Sequence, residues 1–177
     1  MYGPKGAPEH MRAHLRAKLR RLFGINISQI TPLLLVGGQF DPEQWPAISA
    51  LGVRAVLSLQ AERVDRFIGP PPERALRLHV IDFTAPTQAQ LDEGVRFIAT
   101  AHAAELPVFV HCHGGIGRAP LMAAAYLMAS HGHDHREALA LLRAVRPFIA
   151  PNPLQLACLR TYEARLRTAR PDGHPVV

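Results

Sequence analysis

The stretch Val108-Phe109-Val110-His111-Cys112-His113-Gly114-Gly115-Ile116-Gly117-Arg118 decides the fold. Pro107 opens a short apolar run, Val108 to Val110, of the kind that lies in the core of a sheet. Gly114, Gly115 and Gly117 then free the backbone to turn its N–H groups inward around a small ring. An apolar helical segment follows from Ala119 to Met128, with Pro120 in the first turn, where a missing N–H costs little. The reading is strand, glycine-rich loop, helix. A nest of N–H groups at a helix N-terminus attracts anions, because unpaired donors and the helix dipole both favour negative charge.

Cys112 and Arg118 stand at the two ends of this loop, in the spacing Cys-x5-Arg. A thiolate at a helix N-terminus beside a guanidinium is stabilised, and the thiolate is the nucleophilic form. Arg118 offers a planar fork that can hold two phosphate oxygens. Together with backbone donors from His113, Gly114, Gly115, Ile116 and Gly117, they suit in-line attack on a phosphate ester. The bland alternative is a structural cysteine beside a surface arginine. The preceding His111, the glycines and the strand–loop–helix context weigh against it.

Upstream, Leu33 to Val36 reads as a strand ended by Gly37-Gly38. Asp41 is placed to cap a helix running to Leu51, with Pro42 at its first position. Val53 to Leu59 reads as the next strand. Gln60 to Arg74, with Glu62, Arg63, Asp65, Arg66 and a Gly-Pro-Pro-Pro run, reads first as an exposed loop whose charges are solvated, and alternatively as the border of a substrate groove. Leu76 to Ile81 reads as a strand, and a helix follows from about Thr87 to Ala104, with Thr87 as its cap. Downstream, helices are expected over His135 to Val145 and from Pro153 to about Thr168. Strands alternating with helices indicate an α/β domain with a central, largely parallel sheet flanked by helices.

The chain has 177 residues, which favours one domain, and 48% of them are hydrophobic, enough for a substantial core. The expected organisation is a basic tail and helix over 1–24, a domain over 25–169 and a disordered tail over 170–177. The formal net charge of +6 favours anionic partners in general. Residues 9–23 place Met11, Leu15, Leu19 and Leu22 at helical spacing among basic residues. That segment reads first as a helix docked on the domain, and alternatively as a peripheral membrane contact. Two cysteines imply no disulfide framework, and a reduced, cytoplasmic setting suits a working thiolate. No apolar run reaches transmembrane length. His131-Gly132-His133-Asp134-His135 resembles a metal cluster by composition, but it lies between two helices with Asp134 as a natural cap. No metal or cofactor is expected.

His111-Cys112-x5-Arg118 resembles the signature of the cysteine-dependent protein tyrosine phosphatase superfamily, and the short chain points to its dual-specificity branch. The string Gly115 to Pro120 is similar to plant glucan phosphatases and to bacterial dual-specificity-like proteins. The resemblance covers roughly residues 30–166. It implies a dual-specificity phosphatase-like fold and hydrolysis of phosphomonoesters through a phosphocysteine, with Cys112 as nucleophile and Arg118 as phosphate clamp. The leaving oxygen then needs a proton, which a carboxylic acid just past a strand end can supply. Asp82, 30 positions before Cys112, is the best candidate, and the resemblance carries the acid role to it. Asp92 lies inside a helix and is the weaker choice. In the family the histidine at His111 orients the loop, and Gln155 matches a polar position that can place the attacking water, although it reads first as a surface helix residue.

One position departs from the common pattern. Most relatives carry Ser or Thr after the arginine, where the hydroxyl donates to the sulfur. This chain has Ala119, as glucan-phosphatase-like relatives do. The expected substrates are phosphotyrosine, phosphoserine and phosphothreonine in proteins, with no nucleic acid as partner. Phosphoinositide or phosphoglucan substrates, and a low-turnover phosphate-binding module motivated by Ala119, are the alternatives.

Overall fold

Val108, Phe109 and Val110 lie in the central strand of a five-stranded sheet, and none is accessible to solvent. The computed structural model describes residues 24–169, so the expectations for residues 1–23 and 170–177 lie outside it. The strands are β1 (Ile27–Gln29), β2 (Leu34–Gly37), β3 (Ala55–Ser58), β4 (Arg74–Arg77) and β5 (Val108–His111), in the order β1-β2-β5-β3-β4. All neighbours pair in parallel except β1 with β2. A parallel strand covered on both faces reads as a continuous apolar run, which is why β5 shows no alternation with polar residues.

Alternation reappears as a division between two cores. Leu34, Val36, Ala55, Leu57, Val108 and Val110 face one layer, while Leu35, Val56 and Phe109 face the other. The first layer is the thicker. It holds α2 (Gln88–Ala103), α3 (Arg118–His131), α4 (His135–Val145) and α5 (Pro153–Ala169). The second holds a 3-10 turn (Pro42–Gln44) and α1 (Trp45–Ala50), whose Trp45 and Ile48 pack with Phe40. Every residue of α3 from Arg118 to Ala129 is buried. A helix apolar all round belongs in the middle of a packed layer, and its alanines let α2, α4 and α5 approach closely.

Four sequence readings change in the structure. The expected helix from Asp41 to Leu51 is a 3-10 turn followed by a six-residue helix, with Gln44 reaching back to the Asp41 N–H at 2.9 Å. Strand β4 comes earlier than the expected Leu76 to Ile81. Its partner β3 ends at Ser58, and the last bond runs from Leu78 N–H to Ser58 O at 2.8 Å. Leu78 and Val80 are buried beyond the ladder because they pack under the helices. Edge strand β1 was not expected, since Ile27-Ser28-Gln29 is too short to show a period. The fourth change, at the loop from Gln60 to Arg74, belongs to the site.

Candidate active site

The register of the sheet sets Gly37, His111 and Ser58 side by side at the C-terminal ends of β2, β5 and β3. Residues 112–117 leave that edge and enter α3. Their fold is fixed by where the carbonyls go. Those of His113, Gly114, Gly115 and Ile116 accept from Gln39 N–H at 2.9 Å, Asn26 Nδ2 at 3.1 Å, Arg146 Nε at 2.7 Å and Ala150 N–H at 3.0 Å. Gly117 O accepts from Leu121 N–H, within the first turn of α3. With the carbonyls taken up by the scaffold, the amides of residues 113–117 have no acceptor among the described residues. Consecutive N–H groups left without an acceptor at a helix N-terminus are an arrangement that favours anions. Gly115 has φ +65°, and a Cβ there would lie 2.3 Å from Arg146 Nη2 and 2.4 Å from the Gly37 backbone, so only glycine fits.

Cys112 is buried at the foot of a cleft of about 250 Å³. Arg118, Asp82, Phe83, Asn152, Gln155 and the loop line the same cleft. Arg118 is 1% exposed, and buried charge needs compensation. Its Nη1 donates to Leu59 O at 3.0 Å and Val80 O at 2.7 Å, and the Glu62 carboxylate takes Nη2 at 2.7 Å and Nη1 at 3.0 Å. Asp82 Oδ1 lies 2.9 Å from Nη2. Burial works against the guanidinium charge, yet the Glu62 bonds and the charges of Cys112 and Asp82 outweigh it and hold its pKa above the ordinary value. Conversely, Arg118 holds the Glu62 carboxyl below the usual range. The Arg118 Nε–H is buried and has no partner among the described residues, so it remains a donor within the site.

The structure brings Cys112, Arg118, Asp82 and the loop donors together. His111 lies behind them, fully buried, between Phe109 at 5.1 Å and Phe40 at 5.3 Å. Its Nε2–H donates to Asp65 at 2.8 Å, which assigns the tautomer. His113 turns outward, its Nδ1–H donating to Gln39 at 2.8 Å. Ala119 is fully buried. Asp92 is elsewhere, paired with Arg165 at 2.8 Å. That pair lines a larger cleft of about 910 Å³ between α2 and α5, which contains no nucleophile beside a phosphate-binding loop. Asp134 caps α4, accepting from Arg136 N–H and Glu137 N–H. Among the described residues no three metal-ligating side chains converge.

The reading of the loop from Gln60 to Arg74 as a run of solvated charge is overturned at two residues. Glu62 holds Arg118, and Asp65 holds His111. The loop folds back across the strand ends, so Glu62 becomes the counter-ion of Arg118 and Asp65 the hydrogen-bond acceptor of His111. Gln155, expected as a surface helix residue with a candidate role in placing water, is 3% exposed. Its Nε2 donates to Thr84 O at 3.0 Å and its Oε1 accepts from Asn152 N–H, while Asn152 Nδ2 donates to Phe83 O at 2.6 Å. Together they tie the segment carrying Asp82 to the start of α5. Arg146 was also missed. It bonds Gly114 O, Gly115 O and Asn26 Oδ1, and so braces the loop from outside. A requirement that every buried charge and loop carbonyl find a partner predicts such residues, though not their positions.

Residues 38–165 match the model of the dual specificity phosphatase catalytic domain. The chain is 33% identical over 126 residues to the mouse (Mus musculus) phosphatidylglycerophosphatase and protein-tyrosine phosphatase 1, a stretch covering 67% of this chain and 65% of that protein. It is 31% identical to rat (Rattus norvegicus) protein phosphatase Slingshot homolog 3 over 81% of this chain, but over only 22% of that longer protein. The crystal structure of PTPMT1 in complex with PI(5)P superposes with a TM-score of 0.73 at 28% identity, covering 82% of this chain and 98% of that one. The match to the catalytic-domain model spans well over half of the chain, and the chain belongs to the dual specificity phosphatase catalytic-domain family.

Proposed function

We propose that the protein hydrolyses phosphomonoesters through a phosphocysteine intermediate, with phosphorylated tyrosine, serine or threonine side chains as substrates. The convergence of Cys112, the loop of residues 113–117 with its unpaired amides, Arg118 and Asp82 at one cleft carries this reading. The Cys112 thiolate attacks phosphorus, the P–O bond to the leaving group breaks, and the Asp82 carboxyl gives its proton to the departing oxygen. Water then attacks the phosphocysteine and gives a proton to the Asp82 carboxylate. The S–P bond breaks, releasing phosphate and the thiolate. Arg118 and the loop amides stabilise the equatorial oxygens in both steps. His111 and Gln155 position the loop and the acid.

Phosphoinositides are the second substrate reading, favoured by the likeness to PTPMT1, whose crystal structure holds PI(5)P. The unit that works is residues 25–169, in the cytoplasm, where its two free cysteines stay reduced. No helix among the described residues is long and apolar enough to cross a membrane. Cys112→Ser should abolish turnover of an aryl phosphate while keeping phosphate binding, and wild-type turnover should persist in EDTA. More than about a tenth of wild-type activity in the serine variant, where thiolate nucleophilicity has been removed, sinks the assignment.

A further inference from the structure

The cleft is bordered by exposed apolar side chains. Phe83, Ile116, Phe148, Leu154, Val64 and Ile68 are between 42% and 78% exposed. Phe83 and Ile116 line the cleft itself. Phe148 lies under Arg146, 4.4 Å from its guanidinium, and Arg146 holds the loop carbonyls. Leu154 stands two residues after Asn152, which bonds Phe83 O. On the other side, Val64 lies between Glu62 and Asp65, the residues bonded to Arg118 and His111, and Ile68 follows on the same loop. Phe83 has φ 60°, a backbone conformation unfavourable for an aromatic residue, yet the residue is 78% exposed. Exposed apolar groups gathered around a ligand cleft mark a surface that meets something apolar.

We propose that this rim seats the protein on an anionic lipid bilayer, with the mouth of the cleft facing the headgroups. Charge identifies the occupant. The carboxylates at the rim are already paired: Glu62 and Asp82 with Arg118, Asp65 with His111, Asp41 with Arg63. Arg66, between Val64 and Ile68, and Arg143, on the turn of α4 before Phe148, are exposed and have no partner among the described residues. Apolar side chains interleaved with unpaired arginines suit the boundary between acyl chains and anionic headgroups. The apolar groups come from five separate segments: Phe83 and Ile116 line the cleft, and the others adjoin residues bonded to its parts. A rigid protein docked on all of them would cover the cleft, whereas a bilayer brings phosphate groups to its mouth. The seat leaves the reaction unchanged and rests on the phosphatase reading only for the kinetic arm of its test.

The test is co-sedimentation of the full chain with vesicles of phosphatidylcholine alone or mixed with phosphatidylglycerol. Wild type should bind the mixed vesicles and not the neutral ones. Ile68→Ser with Leu154→Ser should weaken that binding roughly tenfold or more, as expected for two large apolar groups kept in water. Arg66→Glu with Arg143→Glu should weaken it and reduce its salt dependence. Turnover of a soluble aryl phosphate should be unchanged in both pairs, which also shows that they fold. Vesicle binding that ignores both pairs overturns the proposal and assigns binding to another segment, such as residues 1–23. Failure of wild type to bind overturns it as well. A wild-type dimer that the apolar pair converts to monomer, without an effect on vesicles, assigns the rim to a second copy of the chain. Vesicle binding with no aryl phosphatase activity in wild type sinks the phosphatase reading and leaves the seat standing.

Discussion

Asp82 Oδ1 lies 2.9 Å from Arg118 Nη2, so the proposed proton donor touches the guanidinium proposed to receive the phosphate. The same Nη2 also donates to Glu62 at 2.7 Å. A phosphate oxygen approaching that edge of the fork competes with Asp82 and leaves Glu62, on the far side, as the fixed counter-ion. Asp82 is 43% exposed, so the contact is weak enough to exchange.

Asp82→Ala should therefore act in two directions. Inorganic phosphate or vanadate should bind up to about fivefold more tightly, the equivalent of a partly exposed ion pair. Turnover of esters with poor leaving groups should fall about 10²–10⁴-fold, and turnover of esters whose leaving group needs no proton should fall much less. Equal losses on both classes of ester, measured as kcat, would reject Asp82 as the acid.

Asn152 and Gln155 hold the Asp82 segment through Phe83 O and Thr84 O. Gln155→Ala should lower kcat on poor leaving groups about tenfold or more by misplacing the acid, with little change in phosphate affinity. Residues acting through one group are not additive, so the same substitution in an Asp82→Ala background should cost little more. Full additivity in that double-mutant cycle would show that Gln155 acts elsewhere, for example on the attacking water.

The sequence made the sheet, its layers and the cysteine–arginine loop legible because each rests on local chemistry: an apolar run, helical periodicity, glycines. Thr87 and Asp134 were readable as caps for the same reason, and both accept N–H bonds from the first turns of their helices. Glu62, Asp65 and Arg146 were not readable. Their partners lie 56, 46 and 31 positions away, at Arg118, His111 and Gly115, and no local pattern encodes which charge of a polar loop folds inward. The strand boundary at Arg77 was misplaced because burial of Leu78 and Val80 imitates continued pairing.

His102 gives a pH dependence. Its Nε2–H donates to Leu33 O at 2.8 Å, so Nδ1 accepts the Tyr126 hydroxyl at 2.7 Å and the neutral ring is satisfied on both sides. Burial is the largest cause holding its pKa below the ordinary 6.5. A depressed folded-state value means that the unfolded chain binds the proton first as pH falls. The His102 contribution to stability is therefore complete above the ordinary value and is lost as pH falls through the folded-state value. Melting temperature should drop over that range, and the drop should be smaller in His102→Gln. Equal pH dependence of the two proteins in thermal melts would remove His102 from the account.

Ala119 follows Arg118 in the first turn of α3, and both Ala119 and Cys112 are buried. A hydroxyl at that position can donate to the sulfur and stabilise it as leaving group when the phosphocysteine is hydrolysed. One hydrogen bond to a charged group contributes about 1.5–3 kcal/mol in good geometry, enough for a tenfold effect or more. If breakdown of the intermediate limits wild-type turnover, Ala119→Ser should raise kcat and shrink the pre-steady-state burst of released alcohol. The hydroxyl would otherwise be buried without a partner, so a serine variant that folds normally but melts lower has failed to reach the sulfur. A correctly folded variant with unchanged burst and kcat would show that the loop amides and Arg118 already suffice for the sulfur. A wild type with neither burst nor turnover, revived by serine, would instead make the natural protein chiefly a binder of phosphate groups.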